Sequence, residues 1–112
     1  MPLADLFGRK MVVDYHLLNH LLVQSEQTDR GTAITISGSI MESAKVFESV
    51  QIEQRSETIL VTVYAALVVW KRQGSPDFQV TSVLNLPPGG YAVRYAGADG
   101  ETSFLSHIDV VP

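Results

Sequence analysis

The side chains best suited to chemistry in this chain are its three histidines. His16 and His20 stand four positions apart, with Asp14 just before them; His107 and Asp109 sit close together near the end. A spacing of four places two side chains on one face of a helix or of a strand. Two or three imidazoles with a carboxylate suit zinc, copper or nickel. His16, His20 and His107 are therefore the candidate metal ligands. The competing reading is plainer: surface histidines, two on an N-terminal arm and the third far from them.

Other chemistry is sparse. There is no cysteine nucleophile, no glycine-rich phosphate loop, no His-Glu-x-x-His pair and no Gly-x-Ser-x-Gly elbow. Glu42, Glu48, Glu53 and Glu57 stand among polar neighbours and read as solvated. Only burial would raise their pKa values into a useful range, and nothing in the pattern buries them. Trp70 beside Lys71 and Arg72 can stack on a sugar or an aromatic ligand, or it can close the core at a strand end. No enzyme and no cofactor are expected.

Composition narrows the partners. The formal net charge is −4, and after Arg94 every charge is acidic. The basic doublets Arg9-Lys10 and Lys71-Arg72 are isolated. Phosphate neutralisation needs a basic patch, so nucleic acid is not an expected partner. The longest apolar run, Ala65 to Trp70, is far short of the roughly 20 residues that cross a bilayer as a helix, so no membrane is expected either. Asp5, Arg9, Lys10 and Asp14 interrupt any apolar signal-peptide core. The absence of cysteine favours a reducing compartment. The chain as it stands is expected to be soluble and cytoplasmic, or extracytoplasmic if it was processed from a longer one.

The elements that would position these residues are strands. Ile34, Ile36 and Ile40 alternate with Thr35, Ser37 and Ser39, and Val50 and Ile52 alternate with Gln51 and Glu53. Phe78, Val80, Leu84 and Leu86 do the same, as do Tyr91, Val93 and Tyr95. Period two is the signature of a half-buried strand. In the last strand Phe104, Ser106, Ile108 and Val110 share one face, with Leu105, His107, Asp109 and Val111 on the other. Gly38 falls on an apolar face, which predicts a bulge or a close approach of another strand. Gly89 follows two prolines and permits a sharp turn, and Asp99-Gly100 predicts a hairpin.

The stretch Thr58 to Trp70 is different. Ile59, Val61, Val63, Ala65, Leu67 and Val69 line one face, yet Leu60, Tyr64, Val68 and Trp70 make the other apolar as well. A strand apolar on both faces is covered on both. The cover is either the N-terminal segment or a partner, so Leu60, Tyr64, Val68 and Trp70 are the candidate interaction residues, for another protein or a second copy. Residues 1–20 form either a short helix or a loose arm, and a strand is expected over Leu21 to Glu26.

Ile34 to Ile40, Phe47 to Glu53 and Thr58 to Val63 together resemble small bacterial immunoglobulin-like domains. Leu86-Pro87-Pro88-Gly89-Gly90-Tyr91-Ala92-Val93 is similar to the Leu-Pro-x-Gly-x-Tyr-x-Val segment of those domains and of fibronectin type III modules. The resemblance spans Gly31 to Val111. It implies a corner role for Tyr91, whose hydroxyl would bond back to nearby backbone. It implies no function, because such sandwiches host many. Those domains are often exported and often carry a cysteine pair, which this chain lacks. A fainter likeness, through Tyr15-His16 and the same Leu-Pro segment, is to competence-associated nuclease inhibitors.

The expectation is thus an all-β protein: a two-sheet antiparallel immunoglobulin-like sandwich of about seven strands over residues 21–112, with residues 1–20 loosely attached. Its expected role is a non-catalytic interaction module, with metal binding and enzyme inhibition as the alternatives.

Overall fold

A computed structural model describes residues 11–41, 45–67 and 75–112, with the side chain of Leu67 left aside. Eight strands follow one another: β1 (Met11–Val12), β2 (Leu18–Thr28), β3 (Gly31–Ile40), β4 (Lys45–Arg55), β5 (Thr58–Leu67), β6 (Asp77–Leu84), β7 (Gly89–Ala96) and β8 (Thr102–Val110). One helical turn, Tyr15–Leu17, separates the first two. The strands make two sheets: a three-stranded one ordered β2-β3-β6, and a five-stranded one in which β5 pairs β4 on one side and both β1 and β7 on the other, with β8 beyond β7.

Alternation in the sequence becomes the core between these sheets. Ile34, Ile36 and Ile40 face Ile59, Val61, Val63 and Ala65, joined by Tyr91, Val93, Tyr95, Ile108 and Val110. Each buried aliphatic side chain of this kind stabilises the fold by roughly 1.5–3 kcal/mol. Thr32 is also buried, its hydroxyl donating to the side-chain oxygen of Gln27 at 3.2 Å. Such a core needs no disulfide.

Every pairing is antiparallel except one. β5 and β7 run parallel, with Thr58 opposite Ala92 and Val61 opposite Tyr95. The chain leaves β5, contributes β6 to the other sheet and returns as β7, and that excursion brings two strands of the same direction together.

Three strands carry a bulge that alternation alone does not place, and at the one in β8 the sequence reading and the structure part. In β8, Val93 pairs Ser106 but Arg94 pairs Phe104, so Leu105 is an extra residue. The pleat slips by one there. Phe104, expected on the face of Ile108, is 56% exposed, and Leu105 packs on the core instead. In β4 the extra residue is Glu48, and in β2 it lies between Asn19 and Leu22. The β2 bulge meets Gly38: a Cβ there would stand 3.2 Å from the Asn19 carbonyl oxygen and 3.3 Å from Leu21 Cα. Gly38 thus meets the close strand approach expected of it, and a side chain there would press on the β2 backbone.

The N-terminal stretch is tied into the sandwich from Met11 onward. β1 pairs β5, with Met11 opposite Ala65 and Val12 opposite Tyr64, and Val13 is 1% exposed. β2 begins at Leu18, three residues before the expected start of that strand.

Candidate functional site

The outward face of the five-stranded sheet carries the side chains with the most to offer a partner. Its rows follow from register. Glu53 stands opposite Leu60, Leu60 opposite Arg94, and Arg94 opposite Phe104. The bulge at Leu105 puts Phe104 in this row, because it turns the start of β8 over. A half-buried leucine, an arginine and an exposed phenylalanine thus lie side by side across three strands. Large exposed aromatics and arginine are the residue types enriched at binding surfaces.

Arg94 is held in place. Its Nε donates to Thr102 Oγ1 at 2.9 Å and its Nη2 to the Thr102 carbonyl oxygen at 3.3 Å. The neighbouring row is fixed as well: Tyr64 donates to Gln51 Oε1 at 3.0 Å, and Thr62 donates to the Ala96 carbonyl oxygen at 3.3 Å. An open hollow of about 390 Å³ lies over Leu60 and Thr62, rimmed by Gln51, Glu53 and Thr102. The Arg55–Glu53 ion pair at its edge, 3.2 Å apart, is exposed and contributes little to stability.

Of the candidate interaction residues, Leu60 and Tyr64 are half-buried on this face. Val68 and Trp70 lie outside the described residues, as do Lys71 and Arg72. β5 is an inner strand with a neighbour on each side. Its face, not its edges, is what a partner can reach.

The histidines occupy three separate settings. His16 is exposed on the helical turn, beside a shallow hollow that also includes Asp14, Asp99 and Glu101. His20 sits in the β2 bulge with φ +54°, so neither a plain strand nor a helix spans the two. His107 is on β8, opposite Ala92, with Nε2 2.9 Å from Asp109 Oδ1. Among the described residues no three histidine or carboxylate side chains converge as metal ligands would.

Two tyrosines have structural work. Tyr91 is buried, and its hydroxyl donates to the Pro87 carbonyl oxygen at 2.5 Å, the bond a corner tyrosine makes. Gly89, before it, has φ +149°, a region closed to most side chains. The spacing of Tyr95 marks it only as inward, yet it ties β7 to β5 and to the residue that follows β1. Its hydroxyl donates to the Val13 carbonyl and accepts from the Val63 N–H at 3.2 Å. Val13 N–H in turn donates to the Val63 carbonyl at 2.9 Å. This is where β5 exchanges one neighbour, β7, for the other, β1. A ladder leaves unpaired groups at such a junction, and the phenol fills the gap. Burial pushes its pKa up to about 12. A tyrosine rather than a phenylalanine at an inward position is the one sequence signal for this, since a buried hydroxyl needs a partner.

No protein family, characterised protein or solved structure matches the chain. The fold and its surfaces are what define it: a small two-sheet β-sandwich. Among the described residues no helix is long and apolar enough to cross a membrane, which says nothing of a β-barrel.

Proposed function

We propose that this protein is a non-catalytic interaction module of the immunoglobulin-like kind, binding a partner through the outward face of its five-stranded sheet. The observation that carries the reading is the row Leu60–Arg94–Phe104, in register across three strands and capped by a phenylalanine that is 56% exposed. Leaving over half of that side chain in water forgoes roughly 1–2 kcal/mol of burial, which a partner would recover. The Tyr91 corner and the Leu-Pro-Pro-Gly-Gly-Tyr segment support the immunoglobulin-like assignment. The scatter of the histidines favours a binding surface over a metal site.

The test is capture of a partner from native extract by the immobilised protein. Phe104→Asp and Arg94→Glu are expected to abolish capture while leaving the circular dichroism spectrum unchanged. A substitution on the other sheet, Thr81→Ala, is expected to preserve it. If both face variants capture the same partner as the parent, binding lies elsewhere and the reading is wrong.

A further inference from the structure

The four long edge strands of the two sheets are not alike. An exposed edge offers unpaired N–H and C=O groups to any other strand, and proteins commonly blunt it with charge or with a bulge. β4 carries Lys45, Glu48, Glu53 and Arg55 and a bulge at Glu48. β2 has Glu26 and a bulge after Asn19. β8 has Asp109 and a bulge at Leu105. β6 has neither device. Its register with β3 is unbroken from Asp77 to Leu84, and after Asp77 the strand is free of charge.

The start of β6 is closed off by β4: Phe47 N–H donates to the Ser75 carbonyl oxygen at 2.9 Å, and Phe47 stacks on Phe78 with ring centroids 4.9 Å apart. Beyond that corner, Val80 to Leu84 has no strand on its outer side among the described residues. Val80 and Leu84 are half-buried on the inward face, and Val83 is 51% exposed on the outward one.

We infer that this edge pairs with the same edge of a second copy, antiparallel about a two-fold axis at Ser82, joining two three-stranded sheets into one. The register follows from the pattern. With Ser82 on the axis, Val80 falls opposite the second copy's Leu84, closing both half-buried inward positions, and Val83 falls opposite Thr81. A two-fold counts each such pair twice, and no charge meets a like charge. The other three edges carry charge and a bulge, and pairing β4 with itself about its centre, Val50, sets Lys45 against Arg55. A second copy is the partner that an uncharged edge with this alternation matches. The inference is independent of the binding face proposed above, which is on the other sheet.

Sedimentation equilibrium of the full chain is expected to show a reversible monomer–dimer equilibrium. Val83→Lys removes two cross-strand apolar contacts and places two lysines diagonally across the axis, so dimerisation is expected to weaken about tenfold. Val83→Glu is expected to do the same. An equal mixture of the two is expected to regain the dimer, as a heterodimer with opposite charges across the axis. Val83 is surface-exposed, so both variants are expected to keep the parent's thermal stability, measured by circular dichroism. A monomer at every concentration, including one whose edge is occupied by its own terminal residues, overturns the proposal. So does a dimer indifferent to Val83→Lys, or a mixture no more dimeric than its components.

Discussion

Tyr91 and Tyr95 lie on the same strand and face the same core, yet they hold the molecule together on different scales. The Tyr91 hydroxyl bonds to Pro87, in the approach to its own strand. The Tyr95 hydroxyl bonds to Val13, separated from it by 82 positions, and to Val63, separated by 32. One fastens a turn. The other fastens the N-terminal strand to the middle of a sheet, with the Tyr15 ring tilted against its own at 5.8 Å between centroids. The same chemical group, in the same strand, is a local fixture at one end and a long-range one at the other. What it touches, rather than what it is, sets its energetic weight.

The strongest way to break this comparison is to remove each hydroxyl in turn. Tyr95→Phe leaves the Val63 N–H and the Val13 carbonyl without their partner in a fully buried place. Each unsatisfied group costs about 1–3 kcal/mol, so urea denaturation is expected to show a loss of about 3 kcal/mol. Equal losses for Tyr95→Phe and Tyr91→Phe would erase the distinction.

Alkali sharpens it next. The Tyr95 pKa is raised to about 12 in the folded state, against about 10 when unfolded. The folded protein therefore holds its proton more tightly. This contribution is fully present below pH 10 and is lost as pH climbs from 10 toward 12. The loss is on the order of 2 kcal/mol, and it is expected to disappear from the pH profile of Tyr95→Phe.

Tyr91→Phe removes one bond at a partly accessible site, for an expected loss of about 1 kcal/mol. Its circular dichroism melt is expected to fall by less than that of Tyr95→Phe. The smallest effect belongs to another local device, the hairpin between β4 and β5. Ser56 holds φ +58°, a region that costs a residue with a side chain energy and costs glycine almost none. Ser56→Gly is expected to stabilise the protein by about 0.5 kcal/mol in the same urea experiment. A loss there would mean that the Ser56 side chain has a role beyond the turn.

Much of the fold is legible residue by residue. The inward sets Ile34-Ile36-Ile40, Ile59-Val61-Val63-Ala65 and Tyr91-Val93-Tyr95 follow from alternation alone, because a strand buried on one face repeats every second residue. The hairpin around Asp99-Gly100 follows from turn chemistry: Gly100 has φ +83°, and Asp99 Oδ1 accepts from the Glu101 N–H at 3.0 Å. The row proposed to bind a partner is only half legible. Leu60 stands out as the apolar residue on the wrong face of its strand, but Phe104 reads as core until the bulge at Leu105 turns it outward. A bulge is decided by how two strands seat against one another, and neither strand shows it alone.

The chain's own alternation, the apolar residues on both faces of β5 and its turn residues determined that this is a two-layer β-protein and most of the side chains that fill it. Tertiary structure alone decided that β5 and β7 run parallel, that the Tyr95 phenol fills the junction between β7 and β1, and that Phe104 faces solvent beside Arg94. The physical reason is range. Burial patterns are written into neighbouring residues, whereas strand order, bulge position and the partner of a buried hydroxyl depend on segments far apart in sequence that meet only once the sheets have closed.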